Sequence, residues 1–250
     1  MPNLPRVRVH FLGTGDAFSA AGRHQAGYLV RGNGSCVLLD CGSSTLTAMK
    51  RDGIDPTGLD AVLISHLHGD HFAGLPYLFL QYTYETPRQH PLHIAGPPGT
   101  EARVRALFGA AYRELAAKAL PFRLAFTELT PDVPADVCGV HIEPFRVPHQ
   151  EHDISLALRI TVDDRSVLYS GDTGWTEELM QRSQGVDLFI CECCYFETRV
   201  PYHLDYPRLA EQRERFGAKR IILTHVGREV LARRDEVAME LASDGLVVDL

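Results

Sequence analysis

The sequence predicts an α/β protein of four layers, two β-sheets stacked face to face with helices on both outer sides. Three observations carry this reading. Short apolar runs bounded by Gly, Asn and Pro recur in both halves of the chain. Stretches with apolar residues spaced by three and four lie between and after them. The chain has 250 residues, 45% of them hydrophobic, enough for a substantial core. Strands covered by helices on one side bury their other face most simply against a second sheet. With no linker, repeat or low-complexity segment, 1–250 reads as a single domain.

The elements follow in order. Residues 7–18, VRVHFLGTGDAF, read as a strand leading into a Gly-rich turn, and 26–42 as a hairpin about Gly32-Asn33-Gly34. SSTLTAMKRDG predicts a short helix from a Ser cap to Gly53, and AVLIS at 61–65 a wholly buried strand. Val104, Leu107, Phe108, Ala111 and Leu115 mark one buried face of a helix over 100–118, which Gly99 and Thr100 begin. GPPG at 96–99 is then the turn before it. A second half opens near 136 with the strand-like runs VCGVHIEPFRV, ISLALRITV, RSVLYS, DLFICEC and IILTH. Helices over 205–216, begun by Asp205 and Pro207 and ended by Gly217, and over 228–243 complete the pattern.

Composition narrows the function. The net charge of −7 gives no global basic excess to attract a polynucleotide backbone. The opening Met1-Pro2-Asn3-Leu4-Pro5-Arg6 has no apolar run of an export signal, and no stretch approaches the roughly 18 apolar residues of a membrane span. A cytoplasmic protein without membrane contact is expected. The six cysteines show no Cys-x-x-Cys pair and read as reduced, mostly buried thiols. Among them Cys191 and Cys193 fall on one face of a strand, opposite Glu192 and Cys194, with Glu192 near the rim of any site there.

Histidine, at 12 copies, is the residue in surplus. Directly after the buried strand, LISHLHGDHFAGL places His66, His68, Asp70 and His71 in one short turn. A chance His-x-His-x-Asp-His match in this chain has a probability of about two in a thousand, so a solvated polar loop is the poorer explanation. Imidazole nitrogens and carboxylate oxygens are the ligands that hold zinc while leaving it Lewis-acidic. No Ser-His-Asp arrangement competes.

His66-Leu67-His68-Gly69-Asp70-His71 resembles the signature of the metallo-β-lactamase superfamily. That resemblance implies further ligands at the ends of later strands, where His149, Asp172 and His225 stand in the expected order. It implies a first cation on His66, His68 and His149, a second on Asp70, His71 and His225, and Asp172 bridging both. Asp40 would support the ligands from behind. His152 competes with His149, but His149 follows the Val-Pro strand end as the family pattern requires. Two divalent ions are implied, zinc by ligand type, with manganese and iron also matching a His/Asp set. Such a pair suits hydrolysis, with a metal-bridging hydroxide as nucleophile.

FLGTGDAF, YSGDT and His203 resemble the branch that contains tRNase Z and related phosphodiesterases. There, His203 would face the scissile phosphate, as a phosphate contact or as a proton donor to the leaving oxygen, with Asp70 and His203 as the catalytic residues. The resemblance also implies a homodimer. Two departures point to a small or short nucleotide phosphodiester rather than folded tRNA. No basic Gly/Pro-containing arm is evident, and the branch's His-Ser-Thr reads His203-Leu204-Asp205. Glyoxalase II-like thioester hydrolysis, tRNA 3′ processing and a non-catalytic metal-binding protein are the alternatives.

Overall fold

The computed structural model describes residues 7–250. The opening six residues, read above as lacking an export signal, lie outside the described residues. The first sheet contains β1 (Arg8–Gly13), β2 (Gly27–Arg31), β3 (Cys36–Leu39), β4 (Ala61–Leu63), β5 (Leu92–Gly96) and β6 (Leu124–Glu128), side by side in that order. The second contains β7 (Ala135–Val137), β8 (Val140–Val147), β9 (Ser155–Val162), β10 (Arg165–Tyr169), β11 (Leu188–Glu192), β12 (Arg220–Thr224) and β13 (Glu240–Leu241), also in chain order. A final strand, β14 (Val247–Asp249), returns to pair with β1 and makes the first sheet seven-stranded like the second.

Alternation along the strands sorts the core into three slabs, which is the four-layer arrangement predicted. Between the sheets, Phe11, Tyr28 and Leu39 of the first meet Leu158, Tyr169 and Ile190 of the second. The opposite faces of the same strands, through Leu12, Leu29, Leu38 and Val62, pack under helices that include α1 (Thr45–Arg51), α2 (Gly69–Phe72), α3 (Leu75–Leu80) and α4 (Thr100–Ala111). A short α5 (Arg113–Ala116) follows. The outer face of the second sheet, with Phe189, Cys191 and Leu223, is covered by α6 (Glu177–Arg182), α7 (Tyr206–Glu211) and α8 (Arg228–Ala232). Complete burial of a Leu or Phe side chain stabilises by about 1.5–3 kcal/mol, so strands buried on both faces contribute heavily.

Several elements differ from the sequence expectation, each for a local reason. The helix expected over 100–118 breaks at Tyr112, whose φ of −141° is not helical. The helix expected over 228–243 stops at Ala232, passes through a 3-10 turn and becomes β13, which pairs parallel with β12. Val237, Met239 and Leu241 alternate and pack on the core, and the otherwise unpaired edge of β12 supplies the hydrogen bonds that decide for a strand. Residues 75–85 form α3 and a π-helical turn, which bury Leu75, Leu78, Phe79 and Tyr82; the sequence reading assigned no element there. The expected Asp205 cap is present, its Oδ1 accepting from the Arg208 N–H at 3.1 Å. Among the described residues no helix is long and apolar enough to cross a membrane, and all six cysteines are free.

Strand direction positions the chemistry. β3 and β4 are parallel. β8 and β10 are both antiparallel to β9 and therefore codirectional, and β10, β11 and β12 are parallel. Six carboxyl strand ends thus release their loops along one edge of the sandwich.

Candidate metal centre

Those loops bring together the seven residues read from the sequence. Asp172, after β10, stands at the middle: its Oδ2 is 3.9 Å from His66 Nε2, 3.8 Å from His149 Nε2 and 3.4 Å from His225 Nε2. Its Oδ1 is 3.3 Å from His71 Nε2. Asp70 Oδ2 is 3.2 Å from His71 Nε2 and 3.3 Å from His225 Nε2. The residues therefore form two groups of convergent ligand atoms, one of His66, His68 and His149, the other of Asp70, His71, Asp172 and His225. His152 is exposed and belongs to neither group.

The donor set fits a pair of divalent cations. His66 Nε2, His71 Nε2 and Asp172 Oδ1 are buried with no hydrogen-bond partner. Orphaned polar atoms of this kind are costly unless something else binds them. The opposite nitrogens are committed elsewhere. His71 Nδ1 donates to Asp40 Oδ2 at 2.7 Å, and His149 Nδ1 to the Tyr202 carbonyl at 2.9 Å. Ser65 gives its hydroxyl proton to Asp40, so it accepts from His66 Nδ1 at 3.0 Å. These commitments turn Nε2 of each ring inward, where His149 Nε2 meets His68 Nδ1 at 3.0 Å, and leave Nε2 as the atom each ring would offer a cation once any proton there is displaced.

Asp40 organises this outer ring. It is fully buried after β3 with φ of 56°, unusual for a residue with a side chain. Its carboxylate accepts from the Ser65 N–H and hydroxyl, His71 Nδ1 and the Tyr169 hydroxyl, the last at 2.6 Å. The sequence reading had Asp40 but not Ser65 or Tyr169. Neither type is diagnostic at a strand end, although alternation along β10 does aim Tyr169 inward. His225 also has a positive φ, 51°, local strain of the kind that the surroundings must hold in place at functional sites.

The electrostatics follow burial and the three carboxylates. Burial pushes His66 well below the ordinary imidazole range and His149 down to about 4, so both are neutral. Burial also disfavours charge on His71, but Asp172, Asp40 and Asp70 outweigh it and hold that ring well above the usual range. Positive charge is strongly drawn to this spot.

His203 sits beside the ring, with one of its nitrogens within 4.8 Å of ligand atoms of His149 and Asp172. A tight turn after β11 carries it, with its ring 4.9 Å from that of His149 and stacked 5.8 Å from that of His225. Its Nδ1 donates to Glu192 Oε1 at 2.9 Å. Burial would lower its pKa, yet the Glu192 carboxylate and that hydrogen bond raise it to about 9. Glu192 was expected near a rim; it is instead fully buried, because it also accepts the N–H groups of Thr173, Cys194 and Leu204. The turn is seated on Gly174, where a Cβ would lie 1.8 Å from the Pro201 carbonyl oxygen. On its other side the loop is pinned by Glu229, whose carboxylate takes the N–H groups of Phe196, Glu197 and Thr198. The cavity above the ring, about 630 Å³, is lined by His68, Asp70, His149, Asp172, His203 and His225. Phe18, Tyr195 and Tyr202 lie at its walls.

Two stacked sheets with this strand-end constellation define a metallo-hydrolase of the metallo-β-lactamase superfamily. The model of the family described as "Anti-Pycsar protein Apyc1" matches residues 7–247, and the chain belongs to that family. Among known proteins it is similar to one named Ribonuclease Z from Agathobacter rectalis, 30% identical over 87% of this chain and 86% of that protein. A Ribonuclease Z from Mycobacterium sp. (strain KMS) is 31% identical over 88% and 84%. Among solved structures, the short form of human tRNase Z aligns with a TM-score of 0.77 at 25% identity, covering 96% of this chain and 98% of that one. A diphosphatase of the PhnP family aligns at 0.79 and 17% identity, covering 98% of both, which shows shared fold.

Proposed function

We propose that the chain hydrolyses a small or nucleotide phosphodiester at two divalent cations. His66, His68 and His149 would hold one cation, Asp70, His71 and His225 the other, and Asp172 both. The observation that carries the choice of ester is His203, a histidine spare to the ligand set, buttressed by a buried carboxylate and open to the same cavity. When bound, such a pair supplies Lewis acidity and ionises water at neutral pH.

The chain's own residues do the rest. Ser65, Asp40 and the Tyr202 carbonyl keep His66, His71 and His149 in one tautomer. Asp70 and Asp172 place negative charge between the rings. His203 keeps its Nδ1 proton against Glu192 and delivers the Nε2 proton to the leaving alkoxide as the P–O bond breaks. A cavity of about 630 Å³ accommodates a nucleotide-sized ester. Zinc suits the ligand set, with manganese and iron as alternatives.

The relatives named Ribonuclease Z favour a second reading, tRNA 3′ processing. The test is metal analysis of purified protein followed by parallel assays on bis(p-nitrophenyl) phosphate, a glutathione thioester and precursor tRNA. About two ions per chain and turnover of the first substrate are expected, with His203→Ala keeping its metal but slowing turnover. Thioester cleavage alone, or His203→Ala with full turnover, overturns the proposal. Preferential cleavage of precursor tRNA establishes the second reading instead.

A further inference from the structure

One buried thiol faces the site while its neighbours do not. Cys191 and Cys193 turn into the slab between the second sheet and its helices. Cys194, 5% exposed, lines the cavity over the ligand ring. Its Sγ and one ring nitrogen each of His203 and His225 all lie within 4.8 Å of one another.

Two further observations make this cluster a binding arrangement. Glu192, which takes His203 Nδ1 at 2.9 Å, also takes the Cys194 backbone N–H at 3.3 Å, so one buried carboxylate fixes both partners. An imidazole whose far nitrogen donates to a carboxylate is supported in the manner of metal-bound histidines. His225, 3% exposed, keeps its Nδ1 buried with no hydrogen-bond partner while its Nε2 faces Asp70 and Asp172, so the ring has an uncommitted nitrogen as well as one shared with the candidate pair. This group differs in softness from the candidate pair, whose ligands are nitrogen and oxygen only.

We propose that Cys194, His203 and His225 form an inhibitory soft-metal site, which takes a thiophilic divalent cation such as cadmium, or zinc in excess. Binding breaks the Cys194 S–H bond, forms a thiolate–metal bond and displaces the Nε2 proton of His203, whose Nδ1 proton stays on Glu192, so two protons pass to the buffer; the imidazoles then donate lone pairs, and no oxidation occurs. Coordination replaces the proton on this thiol. An ion there engages His203, the proposed proton donor, and competes for His225. The loss of activity, though not the binding, rests on the phosphodiesterase reading above.

The experiment uses the full chain loaded with two equivalents of zinc and titrated with cadmium. A thiolate-to-cadmium charge-transfer absorption in the ultraviolet is expected to rise to one equivalent per chain. Hydrolysis of bis(p-nitrophenyl) phosphate should fall at least tenfold in parallel. Cys194→Ser and Cys194→Ala, compared after both melt cooperatively, should show neither the absorption nor the cadmium sensitivity. Absence of the absorption in the native chain, or its persistence in both variants, overturns the site; saturation of the absorption with hydrolysis undiminished overturns its inhibitory role. A zinc-loaded chain with no hydrolysis before cadmium is added defeats the phosphodiesterase reading and leaves the absorption to decide the site.

Discussion

Glu192→Gln preserves the shape of the side chain and removes its charge, which isolates the buttress behind His203. The carboxylate accepts from four donors, Thr173 N–H and His203 Nδ1 on one oxygen, Cys194 N–H and Leu204 N–H on the other. An amide in either orientation turns its NH2 toward two of them. Each buried donor so abandoned costs about 1–3 kcal/mol, which gives about 2–6 kcal/mol in all. For a chain of this size the melting temperature should fall by at least about 4 °C. General acids contribute roughly 10²- to 10⁴-fold to rate, and a misdirected one should lower kcat on the order of 10²-fold with KM little changed. The assays are thermal melting, metal content and steady-state hydrolysis of bis(p-nitrophenyl) phosphate below the melting range. In a His203→Ala background the glutamine should add nothing further to the loss of rate. Loss of metal, an undiminished kcat, or additive losses in the double variant would refute the reasoning.

Other perturbations separate the layers of the site. Asp70→Ala should reduce bound metal from two ions to one and abolish nearly all hydrolysis, read by metal analysis and turnover together; two ions retained would place Asp70 outside the ligand set. Asp40→Ala removes the acceptor that aims His71 and should weaken the metal about 10- to 100-fold, measured by competition with a chelator. Arg88 lies far from the chemistry, nearly buried, with its guanidinium donating to the carbonyls of Thr57, Leu59, His90 and Pro91. Arg88→Ala should lower unfolding free energy by about 2–4 kcal/mol in urea without changing hydrolysis per folded molecule.

Much of this arrangement was written plainly in the chain. A His/Asp motif announces itself because its residue types are uncommon together, and apolar strands ending in His149, Asp172 and His225 announce where the partners fall. Tyr169, Ser65 and the burial of Glu192 were not legible. Their roles arise from hydrogen bonds across distant segments, such as Tyr169 to Asp40, that no local pattern encodes. The end of the chain misled for a related reason. Residues 237–242 alternate too briefly to overrule a helical reading, and only the open edge of β12 makes Glu240–Leu241 a strand. Tyr112 broke a helix that periodicity alone would have continued.

The ligand ring draws His66, His68, Asp70 and His71 from one sheet and His149, Asp172 and His225 from the other. Ions held there as proposed would rivet the two halves of the sandwich at their shared edge, in addition to the apolar seam between them. Resistance to heat and to proteases should therefore rise with free metal concentration, steeply at first and then logarithmically, as for any ligand confined to the folded state. Metal scarcity would act on the amount of intact protein as well as on its turnover.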